Sequence, residues 1–214
     1  MYEHLELIDV YHEVILLPLS IINFKNLKCI KIHGTYNGLD LSLFENLTSI
    51  TISNEVEVIP KQLLIQSRQK LTSIVLYDFY FNCSNKVASD TWCLLNGADP
   101  VQCADNTPVL HSIQYIELRW VTCSSAWLRS LFGKLLTLDH EVECELKWCE
   151  ITSCVEGAVS ESSTSISATI TTGLNDTITI KAYGDSAGLW ETLHGLNVKK
   201  LSLFGRFDHY LVCT

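Results

Sequence analysis

Cysteine is the residue type that most suggests chemistry in this chain, because thiolates bind zinc and act as nucleophiles. Cys144, Cys149 and Cys154 follow one another at intervals of five residues, and Cys123 lies 21 residues before Cys144. The sequence contains no C-x-x-C pair, which many structural zinc sites use. Zinc binding stays an alternative, but this spacing favours buried structural thiols, and we expect no metal.

The other candidate catalytic groups do not form a catalytic motif. The seven histidines are scattered, without an H-E-x-x-H or H-x-H spacing. Ser186 lies in the segment YGDSAG, where we expect a helix N-cap rather than a nucleophile, because no G-x-S-x-G motif surrounds it. The acidic run at 139–145 is interpreted as a solvated strand face rather than a glycosidase-like carboxylate pair. We therefore predict that the protein is not an enzyme and needs no cofactor.

These groups lie in a chain whose clearest feature is a repeated apolar frame, L-x-x-L-x-L. It occurs in LKCIKI, LTSITI, LTSIVL, IQYIEL and VKKLSL, from about residue 27 to residue 204. The fourth and sixth residues of the frame point to one side of a strand, and the fifth points to the other side. One such strand cannot bury its apolar side alone, so the frame predicts parallel strands that stack side by side.

Two stretches share the order strand, loop and helix, namely IELRWVTCSSAWLRSLFGKLL and ITIKAYGDSAGLWETLHGL. When Leu118 is aligned with Ile180, Ser124 falls on Ser186, and both serines are expected to cap a helix. The tetrapeptide ELRW returns as ELKW after 28 residues. The chain is therefore expected to repeat one structural unit.

Three regions fit this repeat poorly. Within residues 1–26 the candidate core residues are Leu5, Leu7 and Val10, without a defined register. Residues 78–111 are interpreted as a loop-rich long unit or an insertion. The Ser/Thr-rich segment AVSESSTSISATITT fits either a strand or a crossover. The last expected strand has its apolar positions at Val198, Leu201 and Leu203.

The repeated frame resembles that of leucine-rich-repeat (LRR) proteins. The last third, ITIKAYGDSAGLWETLHGLNVKKLSLFGRF, resembles the C-terminal LRR arrays of invertebrate NACHT/NLR-like proteins. The resemblance implies an α/β solenoid, with a parallel sheet on its concave face and irregular short helices and loops on its convex face. It implies a single solenoid of about seven irregular repeats over residues 1–214, within a larger protein.

The sequence departs from LRR proteins at one position. Many of them place Asn or Cys three residues beyond the last strand leucine, where the side chain bonds to backbone groups. Here only Cys149 fits, whereas Phe79, Val121 and Tyr183 occupy the position in other repeats. We therefore expect the backbone groups after each strand to be satisfied in another way.

The resemblance places candidate ligand-binding residues at the outward strand positions, which would line the concave face. Arg119, Lys147 and Lys181 would form a basic row beside Glu117 and Glu145. The alternative is that these charges pair with one another across neighbouring strands. The candidate ligand-binding residues are Tyr77, Glu117, Arg119, Glu145, Lys147 and Lys181.

Two tryptophans, Trp120 and Trp148, are expected to stack at the strand exits. They would either pack in the loop layer, which we favour, or lie exposed as binding anchors.

Charge and hydropathy restrict the partners and the compartment. A net charge of −9 argues against nucleic acid and, more weakly, against anionic membranes. The longest apolar run, VILLPLSII, is too short to span a bilayer, and the first residues lack the basic region of a signal peptide. We therefore expect a cytoplasmic protein with reduced thiols. An extracellular location is the alternative if a signal peptide lies outside this segment.

The function implied by the LRR resemblance is a non-catalytic recognition module. The concave face would bind a protein or microbial ligand, as the sensor part of an innate-immune NLR-like receptor. The alternative is a structural or autoinhibitory array that packs against another domain of the same chain.

Overall fold

The computed structural model describes the chain in seven stretches. They are residues 6–11, 26–33, 46–53, 71–81, 112–152, 165–185 and 187–208. These stretches form an α/β fold of mostly parallel strands with few helices, which confirms the sequence prediction at that level. The chain divides into two compact units, Met1–Asp78 with Ser89–Ile113, and Phe79–Ala88 with Gln114–Thr214. The single solenoid over 1–214 stays a prediction.

Within its described residues, the first unit contains four strands that pair in parallel in chain order. Ile30, Ile50 and Ile74 occupy equivalent register positions, and their side chains are almost completely buried. The apolar frame is therefore confirmed in this unit, and its period of two places one residue in two in the core. The strands are β1 (Leu7–Tyr11), β2 (Cys29–His33), β3 (Ser49–Ser53) and β4 (Ser73–Tyr77).

The residues just before these strands form a hydrogen-bond ladder. The Lys28 carbonyl accepts from the backbone N–H groups of Thr48 and Ser49, and the Thr48 hydroxyl lies 3.2 Å from the same oxygen. Thr72 repeats both contacts on the Thr48 carbonyl. The repeated LTS triplet therefore satisfies backbone groups at the start of each strand.

The register of β1 corrects one expectation. Ile8 pairs with Ile30 and Val10 with Ile32, so the fourth and sixth positions of the frame fall on Ile8 and Val10. Leu7 takes the opposite position and is 46% exposed, so its assignment to the core is wrong. Leu5 lies outside the described residues.

The second unit has a mixed sheet. Strand β8 pairs with β6 in parallel and with β9 antiparallel, and β10 pairs with β9 antiparallel and with β11 in parallel. A short parallel ladder joins β5, β7 and the end of β8. The strands are β5 (Tyr80–Phe81), β6 (Tyr115–Arg119), β7 (Thr122–Ser124), β8 (Val142–Thr152), β9 (Ser165–Gly173), β10 (Thr177–Asp185) and β11 (Lys200–Asp208).

In the part of this unit that the structure describes, two helices follow strands, as the repeat predicts. They are α1 (Ser125–Leu135) and α2 (Ala187–Leu193). Ser124 caps α1, because its hydroxyl accepts from the Trp127 backbone N–H at 3.1 Å. The predicted cap at Ser186 lies outside the described residues.

The side chain of Arg129 ties the two helices together. From α1 it donates to the carbonyl oxygens of Glu191 at 2.5 Å and Thr192 at 3.1 Å. These carbonyls belong to the last turn of α2, where backbone oxygens lack partners within the helix. Arg129 thus serves as a C-terminal cap supplied by the neighbouring helix.

The Ser/Thr-rich segment ends in a strand, β9, which lies antiparallel between β8 and β10. A tight turn joins β9 to β10, and Asn175 and Asp176 adopt left-handed backbone angles there (φ 61° and 56°). Of the two alternatives for this segment, the strand is therefore correct for residues 165–173, and its antiparallel pairing departs from the expected parallel sheet.

The backbone after β4 and β6 is satisfied by the short ladder. Thr122 N–H donates to the Phe79 carbonyl and Glu150 N–H donates to the Val121 carbonyl, both at 2.9 Å. Phe79 and Val121 lie three residues beyond the last leucine of the frame, and at both places the side chain is buried. Cys149 does bond to backbone, because its thiol donates to the Leu118 carbonyl at 3.1 Å.

Candidate ligand-binding surface

Five of the six predicted ligand-binding residues lie on one face of the second unit's strands. The opposite face is the core, where Cys144, Leu146, Ile170 and Ile180 are buried. The two helices contact β8, and α1 also contacts β7. We call the other face the outer face. One row of its register runs through Glu117, Glu145, Thr169, Lys181 and Phe204.

Four charged residues on β6 and β8 form a closed network on the outer face. Lys147 Nζ lies 3.0 Å from Glu117 Oε2 and 2.6 Å from Glu145 Oε2. Arg119 Nε donates to Glu117 Oε1 at 2.7 Å, and its Nη2 contacts the same oxygen. These charges therefore pair with one another, and the Lys147–Glu117 contact crosses between strands as the alternative expects. Glu117 is only 6% exposed.

Tyr115 completes the network, which the sequence analysis missed. Its hydroxyl lies 2.8 Å from Glu117 Oε2 and 2.6 Å from Glu145 Oε2, so its proton is shared between two carboxylates. Its place two residues before Glu117 on the same strand face was the available signal.

The network shifts the pKa values of its members. Burial raises the pKa of Glu117, but hydrogen bonds from Lys147, Tyr115 and Arg119 outweigh it, and the net pKa is lowered. The pKa of Glu145 is lowered by hydrogen bonds from Lys147 and Tyr115, and that of Lys147 is raised by its bonds to the glutamates. Burial raises the pKa of Tyr115, and the two glutamates raise it further. At neutral pH the two glutamates are therefore negatively charged, Lys147 is positively charged and Tyr115 is uncharged.

Lys181 does not join the predicted basic row. Arg119 pairs with Lys147 in the register, but β9 separates β8 from β10, and the partner of Lys181 on β9 is Thr169. Lys181 is exposed and makes no ion pair within the described residues. The prediction of one row of three cations is therefore wrong for Lys181.

Trp120 and Trp148 stack on each other, as expected. Their ring centroids are 5.7 Å apart and their planes differ by 17°. The rings are 50% and 55% exposed, so packing in the loop layer is wrong. Both residues have φ of 52°, a left-handed conformation that is uncommon for bulky side chains. Asp78 adopts the same conformation after β4, with a residue type better suited to it.

A β-bulge in β8 positions Trp148. The register with β9 slips between Leu146 and Cys149, so two residues of β8 oppose Ser167. The Trp148 backbone N–H donates to the Ser167 hydroxyl at 3.2 Å. Ser167 in turn pairs with Tyr183 on β10.

Tyr183 was also missed by the sequence analysis. The alignment with the Val121 position predicted a loop, but β10 continues to Asp185, so Tyr183 lies on the outer face and is 66% exposed. The alternation of Thr179, Lys181 and Tyr183 with buried residues was the available signal.

The sixth predicted residue, Tyr77, lies in the first unit. It is half-buried, and its ring meets that of His33 edge-on, with centroids 5.9 Å apart and planes at 71°. Ser53 pairs with Tyr77 in the register and is buried. This contact is a packed aromatic pair rather than an open surface.

Three of the four cysteines that the structure describes are buried in the core of the second unit, and Cys29 in the first unit is half-buried. Cys123, Cys144 and Cys149 are free thiols with buried side chains, and Cys123 lies in β7 rather than in the expected loop. Burial raises the pKa of Cys149 to about 11 and also raises the pKa values of Cys123 and Cys144. These thiols are therefore poor nucleophiles. Cys154, Cys83, Cys93 and Cys103 lie outside the described residues.

In the described stretches, no cluster of three His, Cys, Asp or Glu side chains is arranged to hold a metal ion. None of the helices in these stretches has the length and apolarity needed to cross a membrane. Comparisons with protein-family models, with curated proteins and with solved structures give no match to this chain.

Proposed function

We propose that the protein is a non-catalytic recognition module that binds a protein or microbial ligand on the outer face of its second unit. In this proposal the strands belong to an LRR-type solenoid, and the outer face is its concave side. An innate-immune NLR-like receptor is the proposed context. The repeated frame and the parallel pairing of its strands support the solenoid.

The observation that carries the proposal is the exposed tryptophan pair. A tryptophan in a left-handed conformation costs about 1–2 kcal/mol relative to a residue in an ordinary region. Trp120 and Trp148 both carry this cost and still leave about half of each ring exposed to solvent. Exposed tryptophans are strongly enriched among residues that dominate binding energy. A binding role explains the side chains better than packing does.

The charged residues of the outer face support a positioning role. Because Glu117 is buried against Arg119 and Lys147, removing either cation leaves a buried carboxylate short of partners. Replacing all three of Arg119, Lys147 and Lys181 would therefore confuse lost binding with lost stability. The tryptophans and Lys181 are the better probes of the surface.

The test is binding to an array that carries both peptides and microbial glycans. The double variant Trp120→Ala/Trp148→Ala should lose about tenfold or more of each signal that the wild type gives. Leu174→Ala is the matched control, because Leu174 is 54% exposed in the turn after β9, away from the tryptophans. Its signals should stay unchanged. The proposal fails if the wild type binds no probe or if the double variant binds as well as the wild type.

One observation favours the alternative, an array that packs against another domain of the same chain. Leu201 on β11 takes a core position, yet it is 44% exposed, whereas its register partner Ile178 is fully buried. Phe204 is also exposed. Apolar exposure of this kind promotes association. The variant Leu201→Gln/Phe204→Gln should then self-associate less than the wild type as concentration rises, as measured by sedimentation velocity. Equal self-association of the variant and the wild type would reject this alternative.

A further inference from the structure

The hydroxyl groups beside the exposed aromatic rings bear on the chemistry of the ligand. Ser167, Thr169 and Thr171 follow one another on the outer side of β9, and Thr179 pairs with Thr171 on β10. All four are partly exposed. Within the described residues, the three threonine hydroxyls make no hydrogen bond, and Ser167 only accepts from Trp148. The surface therefore offers unused donors and acceptors next to Trp148 and Tyr183.

The charges beside this surface favour a neutral ligand. Glu117 and Glu145 are neutralised by Arg119 and Lys147, which are already held in short contacts. A cationic ligand would have to break these pairs to gain a partner, and an anionic ligand would gain only Lys181 without breaking them. Lys181 remains as a donor, and an ammonium group also donates to neutral hydroxyl oxygens.

The backbone gives no opening for a peptide strand on this surface. Strands β8, β9 and β10 each pair with a strand on both sides, so their backbone groups are used within the sheet. An apolar protein partner would need an apolar centre between the aromatic anchors. Here the residues between Trp148 and Tyr183 are hydroxylic.

We propose that Trp148 and Tyr183, with Ser167 between them and Thr169 in the neighbouring row, bind a neutral polysaccharide chain. A sugar ring is amphipathic, with a C–H face that stacks on an aromatic ring and hydroxyl groups at its edge that hydrogen-bond to side-chain hydroxyls. Trp148 and Tyr183 lie on strands two apart, which separates their backbones by about 9.6 Å. When a saturated sugar ring lies between two aromatic rings and contacts both, the two aromatic rings are about 7–8 Å apart. The inference names the ligand class for the proposed recognition function and rests on that function.

The experiment measures binding of the full chain to soluble neutral polysaccharides, namely laminarin, mannan and dextran, by affinity electrophoresis and calorimetry. Heparin and a proline-rich peptide serve as anionic and peptide probes. We expect at least one neutral polysaccharide to bind. Its affinity should change little between 0.1 and about 1 M salt, because ionic contacts are screened over that range and stacking is not.

Variants test the named residues. Trp148→Ala and Tyr183→Ala should each weaken polysaccharide binding about tenfold or more, whereas Leu174→Ala should change it less than about twofold. Tyr183→Phe keeps the ring and should bind within about threefold of the wild type. Urea unfolding of each variant separates lost binding from lost folding. If Trp148→Ala does not fold, the contrast between Tyr183→Ala and Tyr183→Phe decides.

The outcomes separate this inference from the proposed function. Binding of a peptide or of heparin that depends on Trp148, with no neutral polysaccharide bound, refutes the sugar assignment and leaves the recognition function standing. Polysaccharide binding that is equal in Tyr183→Ala and the wild type also refutes the assignment. Absence of any ligand that depends on Trp148 refutes both.

Discussion

Each unit of the protein places two aromatic rings on either side of a serine, with opposite results. In the first unit, His33 and Tyr77 lie two strands apart, yet their rings meet over Ser53 and leave it buried. In the second unit, Trp148 and Tyr183 flank Ser167 in the same way, but each ring is more than half exposed and makes no ring contact with the other within the described residues.

The difference comes from the β-bulge rather than from the residue types. Strands β2, β3 and β4 keep one parallel register, so equivalent side chains rise side by side and can lean together. In β8 the extra residue opposite Ser167 changes the direction of Trp148, which stacks on Trp120 instead. One inserted residue is thus the difference between the packed aromatic pair of the first unit and the open aromatic surface of the second unit.

The largest change in the free energy of unfolding is expected from Gly205→Ala, because Gly205 lies on β11, the strand that pairs with the Tyr183 strand β10. Gly205 has φ of +127°, and a Cβ there would overlap the carbonyl oxygen of Ala182 on β10. We expect a loss of about 3 kcal/mol in the free energy of unfolding, from backbone strain and overpacking together. Urea unfolding followed by tryptophan fluorescence reports mainly the second unit, which contains four of the five tryptophans.

Gly195→Ala is the matched control. Gly195 also has a positive φ, of +87°, but a Cβ there meets no atom within 4 Å. The variant Gly195→Ala should lose only about 1 kcal/mol in the free energy of unfolding. Equal losses in the two variants would show that the close approach at Ala182 does not matter.

Acid is expected to lower the free energy of unfolding by an intermediate amount, because it protonates the two glutamates, Glu117 and Glu145, that hold Lys147 beside the bulge. The pKa values of Glu117 and Glu145 are lowered in the folded protein, so their stabilisation is present above their unfolded pKa of about 4.5. It is lost as pH falls through the lowered folded values. The raised pKa of Lys147 adds stability that is lost only above about pH 10.5. Urea unfolding at pH 7 and pH 3 should show a decrease of about 2 kcal/mol.

Two variants check that the acid effect comes from this network. Glu117→Gln/Glu145→Gln should flatten the pH dependence. Glu6→Gln removes the exposed pair with Lys28 in the first unit, and it should change the free energy of unfolding by less than about 0.5 kcal/mol at either pH. An undiminished acid effect in the double variant would assign it to other groups.

The smallest effect is expected from the packed pair of the first unit. His33→Ala removes an edge-to-face ring contact, which is worth about 1 kcal/mol. Tyr183→Ala removes a ring that has no such contact in the described structure, so its free energy of unfolding should change by less than about 0.5 kcal/mol. Urea unfolding measures both. A larger loss for Tyr183→Ala than for His33→Ala would reverse the comparison between the two units.

The parts of the fold that follow from the sequence are those set by period-two burial. Leu47, Ile50 and their equivalents at β2, β4 and β6 repeat an apolar frame that only stacked strands can bury, and they are buried as expected, whereas Leu201 of β11 is not. Helix α1 was predictable because Ser124 precedes a run of apolar residues at helical spacing.

The direction of β9 did not follow, because Ile166, Ala168 and Ile170 alternate equally well in a parallel or an antiparallel strand. The Asn175–Asp176 dipeptide, which favours a hairpin turn, was the overlooked signal. At the surface, the bulge at Trp148 depends on pairing with β9, so the exposure of Trp148 could not be predicted without that strand. The charge network could be predicted only as one of two alternatives, because the sequence fixes neighbours and not distances.

The hairpin of β9 and β10 also has a consequence for how the second unit folds. Its first pair, Gly173 with Thr177, is four residues apart in the chain, whereas Ile116 and Cys144 of the parallel pair β6–β8 are 28 residues apart. Closing the short loop costs less chain entropy, and hairpins form within about 1–10 μs. The hairpin therefore offers an early template on which β8 and β11 add from opposite sides. The antiparallel strand that interrupts the repeat is then the place where the repeat begins to assemble.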